Sequence, residues 1–203
     1  MVNLPGSLIM ITASAAIALW FLHWNYSIVN YPLDEPLPAK TGSFRMPPVS
    51  LNATYGHTVQ VSLDTIRPWN DLLCVTGAKI QPTQPTVCAG RAPDLDLDWT
   101  VSENNRVVAT GSTSKSTYLT NEGKVAIRNL GFFKGVSGHT YVLDVVIRGN
   151  PRNLTVLRPR LQIQLASAYG QVYGLLSPIL LLVCGATFLL GVVGLVFAFI
   201  RRS

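Results

Sequence analysis

Two long apolar runs bracket a middle region in which polar and apolar residues alternate. The second run, Val172–Ile200, carries no charge and ends at Arg201-Arg202. A helix rises about 1.5 Å per residue, and a bilayer core about 30 Å thick needs roughly 20 residues. The run is long enough to cross and predicts a transmembrane helix over 175–200. A core helix of a soluble protein seldom continues this far without a polar face. The first run, Ser7–Leu22, is shorter and predicts a span over 7–24. A cleaved signal peptide would need a basic start and a small-residue cleavage site beyond the apolar core. No Lys or Arg precedes this run, and its A-x-A match, Ala13-Ser14-Ala15, falls inside it. Trp20, Trp24, Tyr26 and Tyr31 gather towards its far end, as an interfacial aromatic belt does. The expectation is an uncleaved anchor.

Residues 25–48 contain Pro32, Pro36, Pro38, Pro47 and Pro48. Proline favours extended backbone, so this reads as a semi-rigid linker, with an irregular domain edge as the equal alternative. From Val49 the period becomes two. His57–Leu63 alternates, and Leu72–Val75 reads as a short apolar strand. Leu95–Val101 alternates with Leu95, Leu97, Trp99 and Val101 on the inner face, and Glu103-Asn104-Asn105 turns it back into Val107–Ala109. Val125–Ile127 and Leu130–Phe132 follow. Thr140–Ile147 is the longest strand signal and ends at Gly149-Asn150-Pro151; Leu161, Ile163 and Leu165 alternate in the last strand. Seven to nine short strands with turn residues between them predict a mainly β chain. The expected architecture is an antiparallel β-sandwich over 49–166, immunoglobulin-like or jelly-roll-like, flanked by two transmembrane helices. Trp99 and Tyr141 are the expected core aromatics. A short connector over 167–174 then leads into the second span and ties the sandwich closely to it.

Charge sharpens the topology. Charged residues make up 13% of the chain, against about 25% in average proteins. All ten acidic and fourteen of the sixteen basic residues lie between Asp34 and Arg160. They form no basic run or basic helix, which excludes nucleic acid as a partner. Arg201-Arg202, placed directly at a span end, assigns both short ends, 1–6 and 201–203, to the cytoplasm and the middle domain to the far side. That side is periplasmic, luminal or extracellular, and disulfides persist there. Cys74 and Cys88 are then expected to bond, closing a loop for which chain entropy predicts roughly 3 kcal/mol; two buried free thiols are the alternative.

The second span carries small residues at Cys184, Thr187, Gly191, Gly194 and Ala198, and the first repeats the pattern at Ser7, Ile11, Ser14 and Ala18. These spacings put each set on one helix face, where backbones approach closely. Either the two spans pack on each other or the faces dock onto another membrane protein. Neither span holds an acidic or basic residue, which argues against ion or proton conduction. Asp94, Asp96 and Asp98 share one strand face and resemble a Ca²⁺ ligand set, but a solvated strand face partly neutralised by Arg91 is the simpler reading. His23, His57 and His139 lack metal-ligand spacing. No nucleophile elbow, P-loop or zinc-protease motif is present, so the chain is expected to be no enzyme and to use neither metal nor cofactor. Three sequons begin at Asn25, Asn52 and Asn153. The function expected is a non-catalytic accessory or assembly subunit of a membrane complex, docking by its transmembrane helices with the β-sandwich bracing or covering the partner's external face. Its partners would be an integral membrane protein and lipid, a homo-oligomer being compatible. The alternative is an anchored surface-binding module that takes a soluble ligand or protein on sandwich loops at 82–93 and 149–153.

Overall fold

The computed structural model describes residues 4–29, 31–78, 88, 90, 92–115 and 118–200. They fall into two compact units, a helical one from the two ends of the chain and a β-rich one over 31–166.

In the helical unit, α1 runs Leu4–Val29 and α3 runs Ser167–Ile200. Each contains a stretch long and apolar enough to cross a membrane, Pro5–His23 and Pro178–Phe197. Helix α3 starts immediately after Ala166, so the connector expected over 167–174 is itself helical. Apolarity marks where a helix suits lipid, not where its hydrogen-bond ladder begins. Ser167–Ser177 holds no proline and simply extends the ladder.

The β unit is built from two antiparallel five-stranded sheets. The first orders β1 (Leu33–Pro36), β10 (Arg160–Leu165), β4 (Gly56–Asp64), β8 (Val125–Lys134) and β7 (Leu119–Glu122). The second orders β2 (Gly42–Arg45), β9 (Thr140–Ile147), β5 (Leu97–Glu103) and β6 (Arg106–Ser112), with β3 (Val49–Ser50) also on β9. Alternation explains the inner faces. Val59, Val61 and Leu63 of β4, with Leu161 and Ile163 of β10, share one buried core with Leu97, Trp99, Val101, Tyr141, Leu143 and Val145 of the second sheet. Burial of this kind is worth roughly 25 cal/mol per Å² of apolar surface.

The region 31–48 departs from the linker expectation, since it supplies β1 and β2 to the sheets. Leu33 to Pro36 pairs with Ile163 to Arg160 along β10. Proline cannot donate to a ladder, and Pro36 sits where this costs least, at the end of an edge strand. Leu72–Val75 is not a strand but lies in helix α2, Trp69–Thr76. A short apolar run does not distinguish the two states. Pro68 precedes this helix and Gly77 ends it at φ 68°, sending its N–H to Cys74 O. The separate signals at Val125–Ile127 and Leu130–Phe132 are one strand, β8, interrupted by a bulge at Leu130.

The outer face of the first sheet holds a buried amide ladder. Gln60 Nε2 donates to Gln162 Oε1 at 3.1 Å, Gln164 Nε2 to Gln60 Oε1 at 2.6 Å, and Gln162 Nε2 to Asp34 Oδ1 at 3.0 Å. Burial alone would raise the Asp34 carboxyl, but hydrogen bonds from Arg160 and Gln162 outweigh it and hold the group below its usual value.

Two buried polar groups fix the interior. Arg128, 1% exposed, donates to Thr76 O at 2.8 Å and Thr113 O at 2.7 Å, tying the end of α2 to the segment after β6. Burial pulls its guanidinium down to about 10, still high enough to stay charged at neutral pH. His57 is 2% exposed, stacks on Phe133 at 5.5 Å and places Nδ1 at 3.0 Å from Tyr55 O. Burial lowers its pKa.

These groups generate two predictions. Arg128→Met leaves two buried carbonyls without donors, at a cost of about 1–3 kcal/mol for each unsatisfied group. The expected outcome is a clear fall in the denaturant midpoint of the β unit, with the helices retained by circular dichroism. The His57 ring, once unfolded, takes a proton near pH 6.5, whereas the buried ring holds out to lower pH. The unfolded state therefore binds more protons in that window, and stability falls as pH drops below about 6.5. His57→Gln is expected to flatten this loss in denaturation midpoints measured from pH 7 to pH 5.

Candidate functional site

The two helices of the first unit meet along their small residues. Ser7, Ser14 and Phe21 are buried on α1; Cys184, Gly191 and Gly194 are buried on α3. Thr187 is half-buried, and its hydroxyl lies 2.8 Å from that of Ser14. Thr187 also donates to Val183 O at 3.0 Å within its own helix. Ala18 is half-buried, and the side chain of Ala198 lies outside the described residues. The helices approach closely at Gly191, where an added Cβ would stand 2.8 Å from Ile11 Cγ1 and 3.2 Å from Ser7 O. Gly185, on another face, has nothing within 4 Å. The faces expected to dock either onto each other or onto a partner are thus placed against each other. With no hydrophobic drive in an apolar solvent, such close approach and the hydroxyl pair are what hold helices together.

In the β unit, Cys74 and Cys88 form a disulfide, while Cys184 is a free, buried thiol. The bond fastens the last turn of α2 to Cys88. The expected contact loop over 82–93 lies mostly outside the described residues. In the other, 149–153, Pro151 is buried in a 3₁₀ turn, Pro151–Leu157. Gly149 packs so closely on the Asp94 carbonyl that a side chain there has no room.

The three aspartates are engaged. Asp94 is 7% exposed and accepts from Asn153 Nδ2 at 2.9 Å. Arg148 donates to Asp98 at 2.7 Å and stands 3.7 Å from Asp96, which also accepts from Thr113 Oγ1 at 3.2 Å. Arg148 thus neutralises Asp96 and Asp98, while Arg91, expected to pair with this run, lies outside the described residues. His139 pairs with Glu103, and His57 is a core residue. Among the described residues no group of three or more His, Cys, Asp or Glu side chains is arranged to hold a metal.

One recess was not visible in the sequence. A groove of about 600 Å³ opens where β6 of the second sheet faces β8 of the first, lined by Trp99, Gly111, Lys115, Tyr118, Asn129 and Phe132 among others. Trp99 is 1% exposed and forms the floor, while Tyr118 and Phe132 are 53% and 63% exposed and form the walls. The floor depends on two glycines: a Cβ at Gly111 or Gly131 would stand 2.6 or 2.7 Å from the indole. Among the described residues, β7 pairs with β8 over Val125–Arg128, and the groove adjoins the part of β8 beyond it. Its backbone there is partly spoken for: Leu130 O accepts from Trp99 Nε1 at 3.2 Å, and Gly131 N donates to Asn129 Oδ1 at 2.9 Å. The edge is therefore a poor template for an added strand, and the recess suits a side group or small molecule better. No spacing rule links residues 99, 111, 118 and 132, so only the exposed aromatics signalled it.

The helix geometry predicts a cross-link. With Cys184→Ser as background, Ser14→Cys and Thr187→Cys are expected to form an intramolecular disulfide under mild oxidation. Gly191→Leu should abolish it and Gly185→Leu should not, as read by mobility on non-reducing gels.

No family model matches the chain, and no curated protein matches it. Among solved structures, the chain is similar to a crystal structure of a protein from Sulfurospirillum deleyianum, at 8% identity and a TM-score of 0.43. The match covers 67% of this chain and 98% of that one, and a likeness of this degree carries no argument about fold or function.

Proposed function

We propose that this protein is a non-catalytic, membrane-anchored binding module, in which a pair of spans holds an exported β-sandwich and the sandwich surface makes the functional contacts. One observation carries this reading. The small-residue faces of α1 and α3 are spent on each other, through Gly191 against Ile11 and Ser14 against Thr187. Many of the side chains left outside are large and apolar, with Leu19 68%, Leu182 74%, Leu189 64% and Phe197 62% exposed, alongside the smaller Ala13, Ala16, Gly185 and Ala186. Such bulky side chains suit acyl chains better than close backbone approach by another helix. The Cys74–Cys88 disulfide supports an oxidising compartment for the β unit, and Arg201-Arg202 support cytoplasmic ends. The same reading treats the two facing sheets as a sandwich of immunoglobulin-like or jelly-roll-like kind.

The second reading is an accessory or assembly subunit whose sandwich braces a partner. Isolated apolar side chains on the β unit favour it: Ile66, Val107 and Val156 are 61%, 62% and 58% exposed. In both readings the sandwich, rather than the helix faces, meets the partner.

Co-purification of the tagged full chain in mild detergent tests this. Replacing Leu182, Leu189 and Val193 by alanine is expected to retain whatever protein binds, whereas Phe132→Asp or Val107→Asp is expected to release it. Loss with the helix substitutions and retention with the sandwich ones would return the contact to the spans.

A further inference from the structure

We propose that the groove over Trp99 is a binding site for a small aromatic carboxylate. The proposal rests on the binding-module reading and names the ligand class of that module.

The walls and floor select the apolar part. Tyr118 and Phe132, both exposed, line the recess together with the buried indole of Trp99. Aromatic side chains left half-exposed around a concavity gain most from a flat ring placed between them, by offset or edge-to-face contact. The recess, at about 600 Å³, falls within the usual range for small-molecule sites, roughly 300–1,000 Å³.

Charge selects the other part. Lys115 is the one charged residue in the lining. Elsewhere on the β unit several arginines are matched, Arg45 with Asp144, Arg148 with Asp98 and Arg160 with Asp34. The Lys115 ammonium has no such carboxylate partner among the described residues. A cation left uncompensated at the lip of an aromatic recess is complementary to an anion attached to a ring. Asn129 and the hydroxyls of Thr110 and Thr120 add neutral polar groups to the lining, with no carboxylate to repel the ligand. A neutral ring would forgo the one charged contact. A polyanion would meet no second lining cation.

The test uses the purified full chain in lipid nanodiscs without any partner protein, so its failure is separable from failure of partner binding. Phenylacetate and indole-3-acetate are titrated by saturation-transfer NMR and calorimetry, with phenylacetamide as the uncharged control. The carboxylates are expected to bind at least tenfold more tightly than the amide. Lys115→Gln is expected to erase that difference while leaving amide binding unchanged. Phe132→Ala, a substitution at an exposed position, is expected to weaken both. Absence of binding at millimolar probe would overturn the proposal. So would equal affinity for acid and amide, or binding indifferent to Phe132→Ala, which would mark partition into the lipid.

Discussion

Much of the β unit depends on how one indole is accommodated. Trp99 leaves the second sheet and crosses the core until its ring rests on the backbone of the first. This requires Gly111 beside it and Gly131 opposite it, since a side chain at either position would occupy the space of the ring. It also requires an acceptor for the indole N–H at a depth where water cannot serve. The bulge in β8 provides one: Leu130 is the extra residue, and its carbonyl takes the N–H at 3.2 Å. A fully buried tryptophan contributes on the order of 3–5 kcal/mol, judged by the cost of its truncation. The same close approach fixes the distance between the sheets and sets the depth of the recess above the ring. Packing and the candidate site are thus consequences of a single constraint.

The helical unit obeys a different rule. In water, helices associate to hide apolar surface, and small residues are poor material for that purpose. In lipid the order inverts, because contact area per backbone rather than apolarity decides. Gly191 and Ser14 are the kind of residue that the second rule favours, on helices that are each long and apolar enough to cross a membrane. They are placed against Ile11 and Thr187, with bulky side chains among those left outside.

Local periodicity made some of this legible and left the rest hidden. The alternation in His57–Leu63, Leu95–Val101 and Thr140–Ile147 fell within or across real strands, and Trp99 and Tyr141 are buried as their patterns implied. The small-residue registers on the two apolar runs were legible as candidate faces, because a helix converts spacing into direction. Leu72–Val75 failed because four apolar residues carry no period. The strands β1 and β2 were masked by prolines, which edge strands tolerate at their ends. Arg128 sits at a core-facing position of β8, where its charge argued for the surface; only the carbonyls of Thr76 and Thr113, distant in sequence, explain it. The groove was out of reach for the same reason, since its lining is assembled from separate strands and turns.

The pairing of β1 with β10 has a consequence for how the chain closes. Leu33 follows soon after α1, Ile163 comes just before α3, and the two are neighbours in the ladder. Joining the ends of a segment of that length costs of order 4 kcal/mol in chain entropy. The cost need be met only once. Whichever forms first, the helical hairpin or the outer ladder, gathers the same two points of the chain and shortens the search left to the other. The β unit is therefore an insertion whose gateway is stitched twice, and a fault in either seam should be felt as slower closure of its counterpart.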